Sequence, residues 1–132
     1  PASPALQQLS LEELPPGRPR ALLLGMAGKS HWSQSVEADA ATASLTFDVA
    51  CRVQRQPRWL GSSYQALHDD SGSPAREGRI AVGAGVELSV EPAANSFPSR
   101  IERAGDSLVI AADLRTLRFP STVRWKYRIT VV

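Results

Sequence analysis

Cysteine is almost missing from this chain: Cys51 stands alone, so no internal disulfide can form and the redox compartment goes unreported. Long apolar runs are missing too. The longest, Ala21 to Gly28, falls far short of the roughly 20 residues a membrane-spanning helix needs. The basic stretch Arg18-Pro19-Arg20 ahead of it mimics a signal peptide, but the run is short and internal and lacks a clear cleavage pattern. A large excess of one charge is also absent: 15 Lys and Arg against 13 Asp and Glu give +2, a balance that argues against a dedicated nucleic-acid binder. Only two histidines occur, His31 and His68, and neither stands at metal-ligand spacing from Cys51 or from the other.

What is present is period-two alternation. Its 132 residues suffice for one domain with a core. From Arg20 onward, apolar residues recur at every second position between turn signals, as half-buried strands require. Leu45, Phe47, Val49, Cys51 and Val53 share one face over Ser44 to Val53, and Val123, Trp125, Tyr127, Ile129 and Val131 share one over the last strand. Trp32, Gln34, Val36 and Ala38 form a similar row, and Arg20 to Leu24 reads as a short apolar strand. Ile80 to Val90 reads as a single strand weakened by Gly83 and Gly85, with a bend or bulge there. Ser99 to Arg103 and Leu108 to Leu114 flank a four-residue hairpin loop, Ala104 to Ser107. A further short strand is expected near Ser63 to Leu67.

These runs predict an all-β fold, a single antiparallel β-sandwich of about seven or eight strands, immunoglobulin-like or jelly-roll-like. The paired cysteines and tryptophan spacing of true immunoglobulin domains are absent, so the likeness stays at the level of fold and implies no function. Residues 1–19 are expected to form a proline-rich N-terminal segment and residues 20–132 the sandwich. Within the first segment, Ser3-Pro4 opens a short helix carrying Leu6, Leu9 and Leu14, closed by Pro15-Pro16-Gly17; extended chain with Leu9 and Leu11 alternating is the alternative.

Local chemistry is sparse. Gly28-Lys29-Ser30 has the end of a phosphate loop, but Leu23 stands where the first glycine is required and a strand follows instead of a helix, so it reads as a turn. No nucleophile elbow occurs, and Cys51 sits in an apolar stripe where a thiol is neutral and inert. The expectation is a non-catalytic domain without metal or cofactor. The long segment 56–78 is where a site is expected, because loops of that length in compact domains are commonly functional. It carries Trp59, Tyr64, His68, Asp69 and Asp70, aromatic and polar groups suited to a protein or glycan partner.

Two alternatives stand beside that reading. Arg124, Lys126 and Arg128 form a basic row on the final strand, with Arg52, Arg55 and Arg58 as a second cluster; together they suit an anionic polymer or acidic partner. A small hydrolase assembled on His68, Asp69 and Asp70 is the other, and would need a metal or substrate the sequence does not name. A final strand lying at a sheet edge would accept a heterologous strand, while its basic row disfavours self-pairing, so a monomer is expected. The start at Pro1 and the analogy with other sandwich modules point to an extracytoplasmic or surface-associated setting, an intracellular assembly role being the alternative.

Overall fold

The computed structural model describes residues 5–13, 16–65, 78–83, 85–90 and 99–132. Among them are ten strands and no helix: β1 (Ala5–Glu13), β2 (Pro19–Ala27), β3 (Ser30–Asp39), β4 (Ser44–Val53), β5 (Gly61–Gln65), β6 (Arg79–Ala81), β7 (Val86–Val90), β8 (Ser99–Ala104), β9 (Ser107–Ala112) and β10 (Ser121–Val131). All pairings are antiparallel. They make a seven-stranded sheet in the order β1-β2-β3-β4-β10-β7-β6 and a three-stranded sheet in the order β5-β9-β8, the two layers of a β-sandwich.

The alternating rows fall where the period-two pattern puts them. In β4 and β10, Val123 lies opposite Cys51, Trp125 opposite Val49 and Tyr127 opposite Phe47, all turned toward the smaller sheet. Ile101, Leu108 and Ile110 meet them from β8 and β9, with Leu60, Ile80 and Leu88 closing the cluster. Phe47 stacks on Tyr127 at 4.9 Å between centroids, and Trp32 meets Trp125 edge-on at 5.9 Å. Among the described residues every buried hydrophobic one lies at or beyond β4 in the chain. None of β1, β2 or β3 has a described residue that is fully buried.

Several expectations are corrected by the backbone. The N-terminal helix is instead β1, paired with β2 from Ala5 opposite Met26 to Glu13 opposite Pro19. Adjacent prolines bound this stretch and leave extended chain as the arrangement in which Leu9 and Leu11 share a face. Ile80 to Val90 is two strands rather than one, because Gly83 (φ 76°) and Gly85 (φ 73°) take left-handed backbone and fold β6 onto β7. The β8–β9 connection is shorter than expected: Ala104 already pairs with Ser107, leaving a Gly105-Asp106 turn. As expected, Gly28-Lys29 is a turn, the two-residue hairpin connection between Ala27 and Ser30. Finally, β10 is no edge strand, since it pairs with β4 along Ser121–Thr130 and with β7 along Tyr127–Val131.

A candidate binding cleft beside strand β5

The smaller sheet lies over β4, β10, β7 and β6 and, among the described residues, ends at β5, which pairs there only with β9. Between β5 and the inner face of β3 lies a cleft of about 360 Å³. Its floor carries Trp32, Gln34, Val49, Trp125 and Tyr127, Leu6 of β1 reaches it, and the continuous segment Trp59 to Tyr64 forms its wall. A volume of this size lies in the range of small-ligand sites.

The wall is fixed by two polar contacts. Ser62 and Tyr64 alternate inward on β5: the Trp125 indole N–H donates to Ser62 Oγ at 2.9 Å, and the Tyr64 and Tyr127 hydroxyls share a hydrogen bond of 2.5 Å. Burial, and then the bond to Tyr127, push the Tyr64 phenol above its ordinary value; burial does the same to Tyr127, against the opposing effect of its hydrogen bonds. Both are therefore neutral at physiological pH. Gly61 lets β5 approach β9, because a Cβ there would stand 2.0 Å from the Ile110 carbonyl oxygen. Sequence and packing thus place a polar-lined but uncharged edge here.

Two groups at the cleft are incompletely packed or paired. Trp59 keeps 40% of its surface exposed, although Leu60 beside it is buried. The Trp32 indole nitrogen is buried and has no hydrogen-bond partner among the described residues, a state that costs free energy. Among the described residues no Asp, Glu, Lys, Arg or His lines the cleft.

Of the residues expected to bind a partner, Trp59 and Tyr64 come together here, Tyr64 on a strand rather than a loop. His68, Asp69 and Asp70 lie outside the described residues. Leu6, Trp32, Gln34, Ser62 and Ser63 were not singled out by sequence. For Trp32 the signal was available, since it occupies the inward row of β3, but only the pairing of β3 with β4 shows that this row reaches Trp125.

The basic residues are placed differently. Arg124, Lys126 and Arg128 lie on the outer face of β10, where Lys126 stands opposite Asp48 of β4 and Arg124 donates to Asp48 Oδ2 at 2.6 Å. Arg52 shares that face and reaches Thr122 Oγ1 at 3.4 Å. Arg55 and Arg58 are exposed beyond β4. Cys51 is fully buried, and burial pushes its thiol up to about 11. Among the described residues no three His, Cys, Asp or Glu side chains are grouped as a metal site would require, and no helix is long and apolar enough to cross a membrane. No protein-family model and no curated protein matches the sequence.

Proposed function

We propose that this chain is a non-catalytic binding module whose ligand, a segment of a protein or a glycan, occupies the cleft between β5 and β3. The observation that carries the reading is the exposed Trp59 ring in a cleft whose described lining carries no charged side chain. The ring offers a flat apolar face, and an uncharged ligand with a flat or apolar surface satisfies it.

An anionic polymer or acidic partner on the outer face of β10 draws less support, because Asp48 pairs with Arg124 and stands opposite Lys126, offsetting one charge of the basic row. The test of the cleft is tryptophan fluorescence with thermal shift, using neutral oligosaccharides and uncharged peptides as probes. A ligand of this cleft changes the emission, and Trp59→Ala lowers its affinity about tenfold or more with little change in melting temperature. If Trp59→Ala keeps full affinity for every ligand found, the cleft is not the site.

A further inference from the structure

The two sheets are unequal, and the missing part of the smaller one lies next to this cleft. Seven strands form one layer and three the other. The inner face of β1, β2 and β3 is the portion left over: Leu6, Leu9 and Leu11 on β1, Leu23 on β2 and Val36 on β3 all turn toward the side on which the smaller sheet sits. Leu9 is 61% and Leu11 78% exposed. A sheet packs its apolar face against another layer, and among the described residues that layer ends at β5.

The edge of β5 is independently unfinished. Ala112 N–H donates to the Leu60 carbonyl at 2.9 Å, which marks Leu60 as a residue whose main-chain groups face β9. By the alternation of an antiparallel ladder, Ser62 and Tyr64 then also face β9, while Ser63 and Gln65 turn their N–H and C=O groups to the open side. No described strand pairs with them there. A row of free main-chain groups along an apolar shelf matches the way extended peptides add to sheets, with the main chain supplying affinity and alternate side chains supplying specificity.

Resting on the reading of the cleft as a binding site, we propose that its ligand is an extended polypeptide segment that adds to β5 as a fourth strand of the smaller sheet, its alternate apolar side chains covering the inner face of β3 and β2. The chemistry of the occupant follows from what lines the site. The lack of charged groups among the described residues of the cleft calls for uncharged residues at the segment's centre, and apolar residues at every second position suit the shelf. The inward hydrogen bonds of Ser62 and Tyr64 hold β5 in place, so the edge is preformed.

The test pans a random dodecapeptide library on the full chain, then measures amide hydrogen exchange with the selected peptide bound. The proposal expects peptides with alternating apolar residues and new protection at the Ser63 and Gln65 amides. Those of Ser62 and Tyr64, already bonded to β9, change little. N-methylating the peptide at the alternate amides that face β5 lowers affinity about tenfold or more, and methylating the intervening ones does not. Ser63→Pro removes the outward N–H at an edge position where proline is tolerated, and also abolishes binding. The peptide variants keep the test valid if Ser63→Pro fails to fold. Selected peptides that protect β1 instead, or that ignore N-methylation, overturn the added strand. If only cellohexaose or another neutral oligosaccharide binds, and quenches Trp59, the strand is overturned and the cleft stands. If no probe binds, both fall.

Discussion

The two halves of the large sheet share one hydrogen-bonded ladder and differ in what lies above them. β4 and β10 carry Val49, Cys51, Val123, Trp125 and Tyr127 under the smaller sheet, where all are buried. β1 to β3 carry comparable leucines and a valine on the same side, and none is fully buried. Strand formation therefore needs only pairing and alternation, while stability needs the second layer. The Arg20–Glu12 pair between β2 and β1 at 2.7 Å, and the contact at 3.0 Å from Arg18, just before β2, to Asp39 at the end of β3, supplement the ladder, and solvent makes each worth little. The single-layered half is held mainly by its backbone.

Breaking the two-layered half gives the largest effect. Trp125 has no exposed surface, touches Trp32 and donates to Ser62. Trp125→Ala should cost about 3–5 kcal/mol, enough to unfold much of a marginally stable domain, and denaturant titration reads the loss. In the intact protein, amides in β4 and β10 should exchange on the order of a hundredfold more slowly than those in β1, because the latter open without disturbing the core. Equal protection across the sheet would show that the wing is covered in solution.

How much of this was legible follows from the same division. The two-layered half announces itself: Leu45 to Val53 and Val123 to Val131 alternate without interruption and their inward faces agree with the structure; the bounds of β4 agree as well, while β10 begins two residues earlier than expected, at Ser121. Where glycines intervene, the period survives a reversal of chain direction, so Ile80 to Val90 looks like one strand although Gly83 and Gly85 fold it into two. β1 was hidden because Leu6 and Leu9 satisfy a helical spacing while Leu9 and Leu11 satisfy an extended one, and only pairing with β2, with a register shift between Leu6 and Gln8, puts all three on one face. The cleft was half visible. Trp59 and Tyr64 are conspicuous in a loop-like sequence, but Trp32 and Gln34 join them through a sheet contact between residues distant in the chain, which no local pattern encodes.

A smaller effect belongs to the hinge between the layers. Tyr127→Phe keeps the ring stacked on Phe47 but deprives the Tyr64 hydroxyl of its partner, and should cost about 1–2 kcal/mol. Alkaline pH probes the same contacts. Burial raises the Tyr64 and Tyr127 phenols from 10.0 and lifts the Cys51 thiol from 9.0 to about 11. For each, the neutral form is favoured by the fold, so the contribution is whole below the unfolded-state value and is lost as pH rises through the folded one. Melting temperature should start to fall near pH 9 and drop more steeply past pH 10. Cys51→Ala should be less sensitive between pH 9 and 11, and an unchanged profile would mean that the thiol is not buried.

The smallest effect is expected at the outer end of the wing. Leu9 and Leu11 face the side that the smaller sheet leaves uncovered, so replacing either with Ser removes little buried area and should change stability by no more than about 0.5 kcal/mol. Serine also lowers strand preference slightly, and the two contributions together stay within that range. The measurement is chemical denaturation of each single variant at two protein concentrations. A cost of about 2 kcal/mol or more would break the comparison between the halves, because it would mean that these leucines are buried in solution. Concentration then identifies the cover: a midpoint that rises with concentration in the parent protein and not in the Leu11→Ser variant assigns it to a second copy seated on β1, against the expected monomer. A small, concentration-independent cost leaves the shelf open along β1, with room beside β5 for an added strand.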